Sequence, residues 1–394
     1  MADARDRRIA LRFIILIGVL SFFADFTYEG SRSIVGPYLA TLQASGTIVG
    51  FVAGFGEFLG YGLRLFSGRW ADASGRYWPI TIFGYVVQMA SVPALALTSS
   101  WPAAAALIVL ERVGKAIRNP PRDAMLSHAG KQADGYGWAF GLHEALDQFG
   151  AMFGPLAVAA VLAHNGGYQE AFAVLLVPAV INLSLVLLAR FLYPKPQDLE
   201  RSPPATVRTD LPRIFWIYLL GAILVAAGFA DYPLIAYHFT RAETVPGNWI
   251  AIFYSVAMAV SGMGSLVLGR LFDRYGFLVL VLLTLVSALF APLVFLGGFW
   301  LALLGAAIWG LGMGVHESII PAAVSPMISP HRRASAFGTF TAGYGIFWFL
   351  GSAVIGFLYD VSVPAVIAFC LITQLAAVPV FVMVGRLARA HHRT

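Results

Sequence analysis

The chain has 394 residues, of which 59% are hydrophobic and 12% charged, with a net charge of +6. Soluble domains are roughly half apolar and about a quarter charged, so this composition leaves too little polar surface for a water-soluble globule and points to a bilayer. A single cysteine, Cys370, excludes an internal disulfide framework.

At about 20 apolar residues per crossing, twelve spans are predicted: 9–31, 46–67, 78–98, 102–121, 136–161, 169–193, 213–236, 249–269, 277–296, 299–321, 334–358 and 363–385. The first follows a basic stretch, Arg5-Asp6-Arg7-Arg8, as a signal peptide does. No small-residue cleavage site precedes Asp25 and Glu29, so a retained helix is expected. Cys370 lies in the last span, where a small apolar filler is the expected role. Glycine-dense span 2 (Gly50, Gly54, Gly56, Gly60, Gly62) favours close helix packing.

An even number of spans returns the chain to its starting side. Of the 26 Lys and Arg residues, Arg32 and Arg241 fall at the opposite ends and Arg112 lies within span 4, leaving 23 on the side of the termini. The positive-inside rule makes that side cytoplasmic, for a multi-pass protein of the inner or plasma membrane. The positive charge therefore reports topology, with no nucleic-acid partner implied, and the basic tails meet anionic headgroups.

Residues 194–212 are rich in proline and charge and read as a cytoplasmic linker between halves 1–193 and 213–394. The halves match at separated points. Phe23-Ala24-Asp25-Phe26 in span 1 answers to Phe229-Ala230-Asp231-Tyr232 in span 7. The loop Gly68-Arg69-Trp70-Ala71-Asp72-Ala73-Ser74-Gly75-Arg76 returns as Gly269-Arg270-Leu271-Phe272-Asp273-Arg274-Tyr275-Gly276. Gly114 to Pro121 has the spacing of Gly314 to Pro321, and Ala139-Phe140-Gly141 with Gly154 mirrors Ala336-Phe337-Gly338 with Gly351. The offsets, 206, 201, 200 and 197, drift only by small loop differences. Six spans preserve direction, so this is a parallel duplication about an axis along the membrane normal.

On these motifs the chain resembles the major facilitator superfamily over nearly its whole length. The resemblance implies an all-α membrane fold of twelve spans in two pseudo-symmetric six-helix bundles, carrying solutes by alternating access. It implies a cytoplasmic gating role for the loop residues Gly68, Asp72, Gly75, Arg76, Asp273 and Arg274; loop orientation alone is the other reading of these charges. Span 5 holds Gly150-x-x-x-Gly154-Pro155, a pattern that in relatives marks antiporters, although Ala157 and Val158 stand where a glycine pair usually follows. Close packing of a small-residue face explains the same pattern. Ala116 stands where the drug-antiporter pattern of span 4 has a glycine, which argues against drug efflux. Spans 1, 4, 7 and 10 line the path in the resembled fold, which brings Asp25, Arg112, Asp231 and His316 or Glu317 to it.

An ionisable group inside a span is costly unless paired or hydrated, so each is a candidate site. Span 1 carries Asp25, Glu29 and Arg32 along one face, span 2 carries Glu57, and span 5 carries His143, Glu144 and Asp147. Span 4 carries Glu111, Arg112 and a basic ladder of Lys115, Arg118 and Arg122. Depth matching by helical rise puts Arg112, Asp147 and Glu57 in one layer, with Arg112 expected to pair with Asp147 or Asp25. Alternatives stand beside these readings: Asp25 and Glu29 capping an outer helix end, Glu144 bridging to Lys131, and His316–Glu317 as a buried hydrogen-bonded pair. His143 is expected to brace the span 4 basic run, and Trp138, Trp309 and Trp348 to pack in the core, a cavity wall being the other reading of these three.

A carboxylate beside a cation in a partly dry cavity can alternate between paired and protonated states. The expected function is secondary transport of a small organic solute, proton-coupled and by efflux or antiport. Import of a small metabolite, proton-coupled or by uniport, is the alternative; an anionic group would suit Arg112, Lys115 and Arg118, and a cation would suit Asp25, Glu29 and Asp147. No cofactor beyond a proton gradient is expected, and a monomer is. A membrane enzyme or sensor is disfavoured, because no metal-spaced His pair, nucleophile motif or phosphate loop occurs.

Overall fold

The computed structural model describes residues 2–130, 136–195, 211–316 and 333–391, with Ile320, Ala323, Val324 and Met327. The described residues hold helices and no strands. In chain order these are α1 (Ala2–Thr41), α2 (Gly46–Ser74), α3 (Tyr77–Ala94), α4 (Trp101–Gly130), α5 (Tyr136–Ala163), α6 (Tyr168–Val174), α7 (Leu176–Leu192), α8 (Arg213–Ala227), α9 (Tyr232–Arg241), α10 (Gly247–Tyr275), α11 (Phe277–Ala288), α12 (Phe290–Leu296), α13 (Phe299–Gly314), α14 (Arg333–Val361) and α15 (Val363–His391). Spans 6, 7 and 9 are each two helices in series, α6–α7, α8–α9 and α11–α12, so the twelve expected spans are all represented. Nine segments among the described residues are long and apolar enough to cross a membrane, and α13 is a shorter apolar helix.

The packing divides into two units. The first comprises Met1–Ile34 and Leu59–Pro204. Its core gathers Phe13, Ile17, Trp78, Tyr85, Met125 and Val186, and Trp78 donates from Nε1 to the Tyr193 carbonyl at 2.8 Å. Helices α3 and α4 meet backbone to backbone. A Cβ on Gly84 would lie 2.7 Å from the Arg118 nitrogen, and one on Gly114 would lie 2.6 Å from the Gln88 nitrogen. Only glycine allows this approach, and it draws Gln88 and Arg118 together.

The second unit comprises Val35–Phe58 and Ala205–Thr394. Within it the beginning of α2 lies on α14: a Cβ on Gly50 would sit 2.5 Å from the Ser352 carbonyl oxygen, and one on Gly54 would sit 2.7 Å from the Ser352 Cβ. Gly60 and Gly62, further along α2, face open space. The expectation of close packing by the span 2 glycines therefore holds for the first two of these four and fails for the last two. Cys370 is buried in α15, as a small apolar filler would be.

Span 1 departs from its expected limits. Helix α1 runs unbroken through Pro37 to Thr41, ten residues beyond the predicted end at 31. The prediction stopped at Arg32 because a charge ended the apolar run, yet that charge is buried. Asp25 and Glu29 consequently lie inside a helix, and neither caps an end.

Candidate functional site

In the first unit the charges of spans 1 and 4 are joined through span 3. Arg118, fully buried, donates from Nε to Gln88 Oε1 at 2.5 Å and from Nη1 to the Tyr85 hydroxyl at 3.1 Å. Its Nη2 stands 3.6 Å from Asp25 Oδ1. Gln88 spends its other end on Glu111, donating from Nε2 to Oε1 at 2.8 Å. Glu111 Oε2 lies 3.7 Å from Arg112 Nε, and Arg112 Cζ sits 4.8 Å from the centre of the Tyr28 ring. The chain Asp25–Arg118–Gln88–Glu111–Arg112–Tyr28 thus leaves span 1 and returns to it one turn later. Two cations, an amide and two carboxylates are held together in a place where a lone charge would be expensive.

Of the two partners expected for Arg112, Asp25 goes to Arg118 instead. Asp147 stands 3.5 Å from His143 Nδ1. The predicted limits of span 1 make Asp25 a near-terminal residue. In the observed α1 it is mid-helix, level with a residue about 9 Å further along span 4 than Arg112.

A second strand of polar contacts continues inward. Arg122 grips Asp123 with Nε and Nη2 at 2.9 and 2.8 Å and donates from Nη1 to Ser21 Oγ at 3.2 Å. Ser21 Oγ lies 2.8 Å from His143 Nε2. Since Arg122 donates to that hydroxyl, the hydroxyl proton is free to go to Nε2, which leaves Nδ1–H facing Asp147. His143 therefore braces the span 4 basic run, as expected, with Ser21 as the intermediary.

The span 5 motif acts here through shape. A Cβ on Gly150 would lie 2.3 Å from the Phe22 carbonyl oxygen, and one on Gly154 would lie 2.1 Å from that of Phe26. The two glycines seat α5 against α1 on either side of Asp25, with Pro155 following inside the helix. Glu29 is buried one turn past Asp25.

The second unit holds Asp231, His316 and Glu57. Span 7 is broken at Gly228-Phe229-Ala230-Asp231, the repeat of the segment that span 1 carries through without a break. Asp231 is the N-cap residue of α9, and its buried carboxylate accepts from Trp348 Nε1 at 3.1 Å and from the Ser352 hydroxyl at 2.6 Å. Trp309 Nε1 donates to the freed Ala230 carbonyl at 2.8 Å. Both indoles are core residues, as expected, and both also satisfy polar groups exposed by the break. His316 Nδ1 pairs with the Tyr344 hydroxyl at 2.5 Å, and its ring lies 4.3 Å from that of Phe229. Glu57 is half-buried in α2. Glu317 and Lys131, and the side chains of Trp138 and Glu144, lie outside the described residues.

The duplicated loop shows one shared backbone device. Gly75 has φ of 64° and Gly276 has φ of 59°, and each donates its amide back to the carbonyl four residues earlier, Ala71 at 2.9 Å and Phe272 at 2.7 Å. Both glycines end a long helix in the left-handed region that other residues avoid. Arg76 and Arg274 are exposed, Gly68 faces Pro120, and the side chains of Asp72 and Asp273 lie outside the described residues.

Tyr28, Tyr85, Gln88, Ser21, Tyr344 and Ser352 escaped sequence reasoning, because a search for charges passes over neutral polar groups. Gln88 carried a usable signal, since a large amide inside an apolar span needs partners as a charge does.

A family model described as Major Facilitator Superfamily matches residues 15–351. An uncharacterized protein of Mycobacterium tuberculosis (strain ATCC 25618 / H37Rv) is 39% identical over 375 residues, covering 93% of this chain and 91% of the relative. An uncharacterized MFS-type transporter of Methanocaldococcus jannaschii is 26% identical over 373 residues, covering 91% of each. The crystal structure of the nucleoside transporter NupG aligns over 97% of this chain and 99% of its own with a TM-score of 0.70 at 15% identity, a likeness of fold. With the superfamily pattern matched from span 1 to span 11, the chain belongs to the major facilitator superfamily and is a multi-pass membrane transporter of the secondary kind.

Proposed function

We propose that this transporter expels a small organic solute in exchange for protons, with Asp25 as the proton-carrying carboxylate and Arg118 as its counter-cation. The observation that carries this reading is the separation of the pair. Asp123 is clamped by a two-nitrogen fork at hydrogen-bond distance, whereas Asp25 meets its arginine at 3.6 Å. A forked pair resists proton exchange because protonation forfeits two charge-assisted bonds. A looser pair in a low-dielectric layer can trade its partner for a proton while Gln88 and Tyr85 keep the guanidinium in place. Asp147, behind His143, is a second candidate on the same route.

In this reading the six-span halves rock about the solute, with the Gly68–Arg76 and Gly269–Gly276 loops working at the cytoplasmic face. The carrier acts as a monomer in the cell membrane with both termini inside. Efflux is favoured by the Gly150, Gly154 and Pro155 pattern.

The test is transport in proteoliposomes under an imposed pH jump, with an internal pH dye, for wild type, Asp25→Asn and Asp147→Asn. Solute-driven proton flux in the opposite direction is expected for wild type. Asp25→Asn is expected to abolish the proton signal while solute exchange continues. Solute movement without proton flux in wild type would refute the coupling and leave a uniporter.

A further inference from the structure

We propose that the transported solute carries an anionic group, carboxylate or phosphate, and that this group binds at Lys115 and Arg112 over the ring of Tyr28. The inference rests on the transport reading above and names its substrate class. Tyr28 is buried in span 1 between cations from two helices. Lys115 Nζ lies 3.8 Å from the ring centre and Arg112 Cζ lies 4.8 Å from it. Arg32, one turn on, donates from Nη1 to the Tyr28 hydroxyl at 3.3 Å. Lys115 and Arg112, three residues apart, share one face of α4.

What decides between an anionic and a cationic solute is which charges already have partners. Asp25 faces Arg118, Glu111 is held by Gln88 and Arg112, Asp123 by Arg122, and Asp147 by His143. A cationic solute would have to displace Arg118 from Asp25, Arg112 from Glu111 or Arg122 from Asp123, and at Asp147 it would compete with the imidazole N–H of His143. Lys115 differs: among the described residues its ammonium rests on an aromatic face, and no carboxylate oxygen comes within ion-pair distance of it. Lys115 is half-buried, and a ring quadrupole compensates a partly desolvated ammonium only in part. An arriving anion would complete the compensation, and Arg112, on the same face, would supply planar donors for a carboxylate or phosphate.

The experiment uses the full chain in proteoliposomes with a defined panel. The carboxylates are benzoate and citrate, the phosphate monoesters are glycerol phosphate and glucose phosphate, the neutral controls are benzamide and glucose, and the cation is ethidium. Uptake and release are measured by mass spectrometry beside the pH dye. Movement confined to anionic members is expected, and carboxylates against phosphate esters identify the source of the charge. Lys115→Gln should raise the half-saturation concentration by about tenfold and Lys115→Arg should restore most of it, as for loss and return of one desolvated charge contact. Movement of benzamide, glucose or ethidium alone, or a Lys115→Gln carrier with unchanged half-saturation, overturns the proposal. Anion movement without a proton signal supports the anionic site and refutes the coupling. Proton-coupled movement of neutral or cationic members alone does the reverse.

Discussion

Asp360, at the end of span 11, caps the start of span 2 at Thr47. Its carboxylate accepts from the Thr47 amide at 2.7 Å, from the Thr47 hydroxyl at 2.6 Å and from the Gly46 amide at 2.7 Å. The first amides of a helix have no internal partner, and a carboxylate is the strongest cap for them. Here the cap comes from a helix of the other sequence repeat. Next to it, Tyr237 donates to the Ala44 carbonyl at 2.9 Å, and the Tyr359 hydroxyl lies 3.0 Å from His238 Nδ1.

If the two repeats rock, this cap breaks in each cycle. Asp360→Asn keeps the shape and removes the charge, at a cost of about 1 kcal/mol for a weakened cap. The expected result is a shift towards the state open on this face. Val49, now fully buried beside the cap, supplies the readout as Val49→Cys, since the native Cys370 is itself buried. Maleimide should label the introduced thiol several-fold faster in the Asp360→Asn background. Equal labelling rates would mean that the cap holds a contact that never opens.

The span 1 to span 3 network predicts asymmetric costs. Arg118→Leu strands Asp25 and orphans the Gln88 and Tyr85 partners in a fully buried place, a loss of about 3–5 kcal/mol. Asp25→Asn leaves the guanidinium with two of its three contacts and costs less. The double variant Asp25→Asn/Arg118→Leu should recover part of the loss, because it buries no unpaired charge. Thermal unfolding in nanodiscs checks the order: Arg118→Leu lowest, the double variant between, Asp25→Asn nearest wild type. Additive losses in the double variant would show that the 3.6 Å contact carries no coupling.

Much of the architecture was legible, because bilayer thickness fixes span length and duplication fixes order. The parallel repeat located Asp25 and Asp231, Gly154 and the two loop glycines, and the superfamily resemblance added Gly150. Pairing was not legible. Asp25 meets Arg118 because α1 runs ten residues further than its apolar stretch, and a charge such as Arg32 ends a hydropathy window without ending a helix. Nor could sequence foresee that the same four-residue motif is straight in span 1 and broken in span 7. There, Trp309 and Trp348 arrive from distant spans to satisfy the freed groups.

That break makes Asp231 a structural test. Asp231→Ala removes the acceptor for Trp348 Nε1 and Ser352, and each orphaned buried donor costs about 1–3 kcal/mol. Asp231→Asn retains an acceptor for the indole, and the Ser352 hydroxyl can reverse its role. The alanine variant should lower the melting temperature and shift tryptophan emission, with the asparagine variant close to wild type. A substantial loss in both would assign the carboxylate's charge, beyond its acceptor role, to the stability of the broken span.

Glycine substitutions provide the sharpest contrast, since the same residue change meets opposite surroundings. Gly154→Ala drives a Cβ to 2.1 Å from the Phe26 carbonyl oxygen, and Gly351→Ala drives one to 2.1 Å from that of Ala227. Backbone cannot rotate away as a side chain does, so spans 1 and 5, and likewise 7 and 11, must separate. The cost should reach or exceed the ~1–3 kcal/mol of ordinary overpacking. Gly60→Ala and Gly62→Ala meet nothing within 4 Å and should be neutral or stabilising by up to about 1 kcal/mol through helix propensity. Gly276→Ala isolates the third case. Its Cβ has space, but φ of 59° with ψ of −140° suits glycine alone, so a loss of about 1–3 kcal/mol is expected from backbone strain without any clash. Melting temperatures of the five variants in one lipid background separate the mechanisms. Equal losses at Gly154 and Gly60 would mean that span 5 gives way to a methyl group, and the close approach around Asp25 would then not be what fixes the network.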